Sequence, residues 1–112
     1  MATLTIRDTI GGDSALTPTS GELVYNIIQK EIDARTAIDL DFKGIEIITS
    51  AFLNAAVGRL YSKYSSEELN SLLHIKNISS DDLSILKKVI ERAKEYFIDK
   101  RSFNERMDQT FE

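Results

Sequence analysis

Two adjacent hydroxyl side chains, Thr49 and Ser50, lie where an apolar run gives way to a helical pattern. A hydroxyl at a helix start can accept a hydrogen bond from a free backbone N–H of the first turn, and losing such a cap costs about 1 kcal/mol. An exposed serine there can instead receive a phosphate of charge about −1.5 to −2, which the positive end of the helix dipole favours. Both residues are therefore candidates for capping and for phosphorylation.

Carboxylates and a single imidazole offer a different chemistry. Asp39 and Asp41 share one side of a predicted strand and Glu46 follows, a set that could in principle bind a divalent cation. His74 is the one histidine, so a Ser-His-Asp arrangement would have to be built around it. Because acids near strand ends are usually just solvated, we treat metal binding and catalysis as secondary hypotheses.

Residues 11–20 are predicted to form a loop, because they include two glycines and the only proline, Pro18. A glycine-rich loop that runs into a helix can cradle phosphate, but neither the Walker pattern nor the spaced glycines of dinucleotide sites occur here. The favoured interpretation is a connector. The alternative is a small nucleotide- or metal-binding hydrolase that uses Gly11-Gly12 and Asp41.

The hydroxyl pair is positioned by a strand on one side and a helix on the other. The central strand and a second extended segment after Gly44 are indicated by Ala37, Ile38, Leu40, Phe42, Ile45, Ile47 and Ile48. The helix presents one apolar face at steps of three and four residues: Leu53, Ala56, Val57, Leu60, Tyr61 and Tyr64. Phe52 lies beside that face, so it either faces outward as an anchor for a partner or packs under the 11–20 loop.

The earlier elements are a strand and a helix. Leu4 and Ile6 alternate with polar residues, which predicts a half-buried edge strand. The helix that follows has either Thr19 and Glu22 at the spacing of a capping box, or Thr17 as its cap with Pro18 in the first turn. Its predicted apolar face consists of Val24, Ile27, Ile28 and Ile32.

The later elements repeat this order. After a break at Ser65-Ser66, a short strand ending near Asn77 is indicated by Leu72, Leu73 and Ile75. Ser79, with Asp82 three residues on, begins the last helix. The apolar face of that helix consists of Leu83, Leu86, Val89, Ile90, Ala93 and Phe97.

The alternation of strands and helices predicts an α/β fold with a mainly parallel or mixed sheet of about four strands, covered by about three to four helices. We expect one domain over residues 1–100 and a tail or helix extension over 101–112. In that tail, Phe103, Met107 and Phe111 fall at four-residue steps and would line one side of a helix. They are candidates for self-assembly, with a disordered end as the alternative.

Composition narrows the classes of partner. The chain has 112 residues, 42% of them hydrophobic, which suits one domain with one core. Its 18 acids and 14 bases are scattered, so the sequence has no basic stripe for nucleic acid. The absence of cysteine excludes disulfides, and no leader pattern or membrane-length apolar run is present. We expect a cytoplasmic protein with no cofactor, nucleic acid or membrane partner.

The central region resembles a known family. Residues 36–54, Thr-Ala-Ile-Asp-Leu-Asp-Phe-Lys-Gly-Ile-Glu-Ile-Ile-Thr-Ser-Ala-Phe-Leu-Asn, and residues 72–77, Leu-Leu-His-Ile-Lys-Asn, resemble the bacterial STAS-like domain of unknown function. The resemblance extends over about residues 11–97. That family is similar to the STAS domains of anti-sigma-factor antagonists, small α/β modules that bind a histidine-kinase-type ATPase.

The resemblance implies a position for a regulatory switch. In the antagonists, a strand leads into an Asp-Ser-Ser-Gly motif at a helix start, and the first serine is phosphorylated. Laid onto this chain, the four positions fall on Thr49, Ser50, Ala51 and Phe52, of which Ser50 alone keeps the antagonist residue.

We therefore expect a non-enzymatic regulatory domain that binds another protein. The predicted contact surface is the start of the second helix, with Thr49, Ser50, Phe52 and Leu53, beside the 11–20 loop. Phosphorylation is predicted at Ser50 or Thr49, and the resemblance implies a histidine-kinase-type ATPase as the partner.

Overall fold

The computed structural model describes the backbone of residues 2–111 and the side chains of residues 2–97. The elements of this part of the chain are β1 (Ala2–Thr5), α1 (Ile6–Ile10), β2 (Ser14–Ala15), α2 (Pro18–Asp33), β3 (Ile38–Asp41), β4 (Ile47–Ile48), α3 (Ser50–Ala56), a 3-10 helix η1 (Gly58–Ser62), α4 (Ser66–Leu72), β5 (Leu73–Lys76) and α5 (Ser80–Phe111). The predicted α/β class is confirmed. None of the helices found in residues 2–111 combines the length and the apolar character that crossing a membrane requires.

The strands form two parallel sheets. The larger sheet has the order β1-β3-β5, with Leu4, Leu40 and Ile75 side by side. The smaller sheet pairs β2 with β4. The prediction of a mainly parallel sheet with an N-terminal edge strand is confirmed. Between β3 and β4 the chain turns at Gly44, whose φ of +83° favours glycine, and β4 then joins the smaller sheet.

The N-terminal segment differs from its prediction. β1 ends at Thr5, and Ile6 begins a short helix in which its side chain is fully buried. The 11–20 segment is not a loop throughout, because β2 pairs with β4 and the Thr49 N–H donates to the Ala15 carbonyl at 3.0 Å. The predicted strand was therefore too long, and the loop is partly a sheet.

α2 lies against the main sheet and α3. Its N-cap is Thr17, whose hydroxyl accepts a hydrogen bond from the Ser20 N–H at 3.1 Å, and Pro18 is the first helical residue. The buried residues of α2 are Gly21, Val24, Tyr25, Ile28 and Ile32. Ile27, predicted on the apolar face, is instead 41% exposed and lines a surface groove beside β1.

The predicted second helix is interrupted. α3 ends at Ala56, Val57 is its C-cap with a φ of −118°, and the chain continues as the 3-10 helix η1. The predicted apolar residues are nevertheless all buried: Leu53, Ala56, Val57, Leu60, Tyr61 and Tyr64. The apolar pattern therefore predicts the buried residues correctly, but it predicts a longer helix than the one observed.

The region after η1 contains a helix that the sequence interpretation missed. α4 begins after Ser65, whose hydroxyl accepts from the Glu68 N–H while the Glu68 carboxylate accepts from the Ser65 N–H. This reciprocal capping box replaces the predicted break. The short strand that follows is confirmed as β5.

Polar contacts join the residues that follow η1 to the end of α2. The Tyr64 hydroxyl donates to the Asp33 carboxylate, and the Gln29 carbonyl lies 3.3 Å from the same hydroxyl. Lys63 adds an ion pair with Asp33 at 3.3 Å. The hydrogen bond from Tyr64 lowers the pKa of Asp33, and burial raises the pKa of Tyr64.

α5 covers the side of the core formed by α3 and η1. Ser79 caps it, because its hydroxyl accepts from the Asp82 N–H at 3.2 Å. All of its predicted face lies in or against the core: Leu83, Leu86, Val89, Ile90, Ala93 and Phe97. The side chains of Phe103, Met107 and Phe111 lie outside the described residues, so the self-assembly stripe and the division at residue 100 stay predictions.

Candidate functional site

The junction between β4 and α3 is held by the Thr49 side chain. Thr49 has extended backbone geometry, and its hydroxyl accepts from the Phe52 N–H at 3.2 Å, which makes it the N-cap of α3. The same hydroxyl donates to the Leu16 carbonyl at 2.6 Å. It therefore binds the end of the 11–20 segment to the start of α3.

Ser50 is the first residue of α3 and is exposed. Because Thr49 supplies the cap, the Ser50 hydroxyl has no capping role, and it makes no hydrogen bond to any residue that the structure describes. Of the two predicted caps, Thr49 is thus the one observed. Phosphorylation at either residue stays a prediction.

Phe52 and Leu53 are both 0% exposed, so the prediction that they form part of a contact surface is wrong. The physical reason is that α3 is covered on more than one side, by α2 and by α5 together with η1. The backbones of α2 and α3 come so close that a Cβ on Gly21 would lie 2.5 Å from the Phe52 carbonyl oxygen. Phe52 consequently faces the core and not a partner.

The exposed apolar residues of this junction are two aliphatic residues and not Phe52 or Leu53. In the β2-β4 pair, Ala15 and Ile48 point inward and are buried, so their neighbours Leu16 and Ile47 point outward. Leu16 is 42% exposed and Ile47 is 56% exposed. We call Leu16, Ile47, Thr49 and Ser50 the α3 junction.

Sequence reasoning did not identify Ile47 as a surface residue. The run Ile45, Ile47 and Ile48 indicates burial in general, and only the pairing with β2 determines which isoleucine faces solvent. Alternation along β4 was the available signal, because adjacent strand residues point to opposite faces.

The predicted ligand loop is not built for phosphate. Gly11 has a φ of +75° and ends α1, with its N–H donating to the Arg7 carbonyl at 3.0 Å. β2 then separates Gly11-Gly12 from the start of α2, so the glycines do not lead into a helix N-terminus. The geometry gives this part of the hydrolase alternative no support.

The Asp41 carboxylate links two loops by hydrogen bonds. One of its carboxylate oxygens accepts from the Lys43 N–H at 2.9 Å and from the Asn77 side-chain amide at 2.9 Å. These hydrogen bonds, that from Asn77 first, lower the pKa of Asp41. The carboxylate therefore joins the chain after β3 to the chain after β5.

The remaining polar candidates lie on the outer face of the main sheet or beyond it. Asp39 stands between Thr3 and His74 in register, and its Oδ1 is buried without a hydrogen-bond partner among the described residues. His74 Nε2 lies 3.1 Å from the Ser71 carbonyl, and Glu46 is exposed. Within the described residues, no three acids or histidines are grouped to hold a metal ion.

Comparison with known proteins identifies one relationship. A family model described as a STAS-like domain of unknown function matches residues 20–83, which is more than half of the 112-residue chain. The matched part runs from the first turn of α2 to the start of α5 and includes Thr49 and Ser50 of the α3 junction. No curated protein matches the chain significantly. No solved structure does so either.

Proposed function

Because the chain belongs to the family of STAS-like domains of unknown function, we propose that it is a regulatory domain that acts by binding another protein and not by catalysis. The observation that carries this proposal is the exposed Ser50 beside two exposed aliphatic side chains. Leu16 and Ile47 offer apolar area to a partner, and the Thr49 hydroxyl holds the Leu16 backbone against the start of α3.

The two hydroxyl groups of the α3 junction, on Thr49 and Ser50, differ in their contacts. Thr49 is engaged with the Leu16 carbonyl and the Phe52 N–H, so its loss weakens the fold. Ser50 has no such contact in the described structure, so its modification can alter the surface without altering the core. This arrangement suits a switch that is read by a partner.

The class of partner that we propose is a histidine-kinase-type ATPase, by analogy with the anti-sigma-factor antagonists that the sequence resembles. Such a kinase would transfer the γ-phosphoryl group of ATP to the Ser50 oxygen, releasing ADP and the hydroxyl proton. The added charge of about −1.5 to −2 would lie beside Leu16 and Ile47 and disfavour their burial against an apolar partner surface. Phosphorylation would therefore release the partner.

Binding to an ATPase of this class, taken from the same genome, tests the contact surface. We expect Ile47→Asp and Ser50→Asp to weaken binding at least tenfold in calorimetry, because each places a charge in the proposed interface. Ile27→Asp is the matched control, since Ile27 is 41% exposed but lies beside β1. Equal binding by all three variants, or no binding by the wild type, contradicts the proposal.

The switch is tested separately. Incubation of the chain with the same ATPase and ATP is expected to add one phosphate, located on Ser50 by peptide mass spectrometry. Ser50→Ala should abolish the modification, whereas Ser62→Ala, at another exposed serine, should not. Binding without phosphorylation would support the contact surface and contradict the proposal that Ser50 is a switch.

A further inference from the structure

A groove with no assigned role lies between the α3-η1 segment and α5. It encloses about 320 Å³. Its lining residues come from both sides: Asn54, Gly58, Arg59, Arg92, Ala93, Tyr96 and Phe97. We call it the α5 groove. It shares no residue with the α3 junction.

Two guanidinium groups line this groove without an acidic partner. Arg35 pairs with Glu68 at 3.0 Å and Lys63 with Asp33 at 3.3 Å, but neither Arg59 nor Arg92 forms an ion pair with any described residue. The chain carries a net charge of −4, yet these two cations line the same groove, so the groove is basic on an acidic protein. Two arginines in one groove favour a ligand with negative charge.

One of these cations is held in place. The Arg59 guanidinium carbon lies 4.3 Å from the centre of the Tyr25 ring, a distance at which the ring attracts the cation. Tyr25 itself is buried. Stacking against a fixed ring reduces the conformational freedom that Arg59 would lose on binding, so the guanidinium is partly preorganised.

The apolar part of the groove is shaped by small and aromatic residues. Gly58 and Ala93 are small, which leaves room for an incoming side chain. Tyr96 is 62% exposed and packs edge to face on Phe97, with ring centres 4.9 Å apart. Tyrosine and arginine are, with tryptophan, enriched among the few residues that carry most of the binding energy at protein interfaces.

We propose that the α5 groove is a docking site for an acidic peptide segment of a partner protein. One Leu or Phe side chain of the segment inserts between Gly58 and Tyr96, and flanking carboxylates bind Arg59 and Arg92. The volume lies at the low end of the range of small-molecule pockets, about 300 Å³ upwards, and the groove is open. It accommodates one inserted side chain with its backbone outside, which fits a peptide.

The test uses the full chain and synthetic ten-residue peptides with a central Phe flanked by four Glu, by four Gln or by four Lys. Fluorescence anisotropy is expected to show binding of the Glu peptide only, weakening as salt rises from 0.05 to 0.5 M. Arg59→Ala and Arg92→Ala should each reduce affinity about tenfold, the usual effect of losing a hydrogen bond between charged groups. Arg92→Glu should also weaken binding of the Glu peptide. Lys87→Glu is its matched control and should not, because Lys87 is an exposed residue of α5 outside the groove.

Each other outcome overturns the proposal. Equal binding of the Glu and Gln peptides would show that the arginines do not recognise the carboxylates. Unchanged affinity of Arg92→Glu for the Glu peptide would show that the peptide does not bind in the α5 groove. Concentration-dependent dimerisation that Arg92→Glu abolishes, without peptide binding, reassigns the groove to a second copy of this chain. Because Ser50→Asp should leave peptide binding unchanged, failure here is distinguishable from failure of the proposed function.

Discussion

Replacing Gly21 by alanine tests the close approach of α2 and α3 on which the position of the α3 junction depends. A Cβ at this position would lie 2.5 Å from the Phe52 carbonyl oxygen, 2.8 Å from the Ala55 Cβ and 3.2 Å from the Ala56 nitrogen. Two of these atoms belong to the backbone and cannot rotate away. Since optimal carbon contacts are about 3.5 to 4.0 Å, the helices would have to separate by roughly 1 Å.

The expected loss of stability follows from two opposing effects. Overpacking a tight site costs about 1 to 3 kcal/mol, and the upper end applies here because backbone atoms obstruct the methyl group. Alanine regains about 1 kcal/mol over glycine through its helix propensity. We therefore expect Gly21→Ala to lower the free energy of unfolding by about 2 kcal/mol and the melting temperature by roughly 8 °C.

Gly58→Ala is the matched control in the same core. A Cβ there would lie 3.4 Å from Asn54 Oδ1 and 3.5 Å from a Val89 methyl carbon, which are ordinary contacts. Its expected effect is neutral or stabilising by up to about 1 kcal/mol. Urea unfolding followed by circular dichroism measures both variants. A Gly21→Ala variant as stable as wild type would show that α2 and α3 are not in contact as described.

Three further predictions concern the polar contacts of the described residues. Thr49→Ala should lower the free energy of unfolding in urea by about 1 to 2 kcal/mol through loss of the cap, and Ser50→Ala by less than about 0.5 kcal/mol; the reverse order would contradict the assignment of the cap. Tyr64→Phe should cost about 1 kcal/mol, because the Asp33 carboxylate and the Gln29 carbonyl lose the hydroxyl; no change in the urea midpoint would mean that the contact contributes nothing. Stability should also depend on pH, because the pKa values of Asp33, chiefly through Tyr64, and Glu68, chiefly through the Ser65 N–H, are lowered in the folded state. The unfolded chain then binds more protons, so this stabilisation is present above about pH 4 and is lost as the pH falls through the folded-state values; urea midpoints that stay constant from pH 5 to pH 3 would refute it.

The sequence predicts those elements whose signal is local and repeated. The apolar period of α5 and the cap at Ser79 specify that helix without reference to the rest of the chain, and the alternation around Leu40 does the same for β3. Short helices carry less signal. α1 follows a strand whose alternation continues into Ile6. α4 depends on the capping box of Ser65 and Glu68, and two adjacent serines are equally typical of a break between elements.

The candidate site depends on contacts that are distant in sequence, which explains where its prediction failed. Thr49 and Ser50 are equally good caps by residue type, and the hydrogen bond from Thr49 to the Leu16 carbonyl distinguishes them only in the folded chain. Phe52 lies off the apolar stripe of α3 by sequence. It is buried because α2 also packs on that helix, and Gly21 is what permits it to do so.

α3 contributes a residue to the α3 junction and another to the α5 groove, and its middle is buried between them. Its seven residues span about 10 Å, with Ser50 at one end and Asn54 towards the other. Between them, Phe52 and Leu53 are fully buried and fix the helix in the core. α3 therefore contributes Ser50 to the α3 junction and Asn54 to the α5 groove. Because Ser50, Arg59 and Arg92 are exposed, substitutions at these residues alter recognition, whereas substitutions at Phe52 alter the fold.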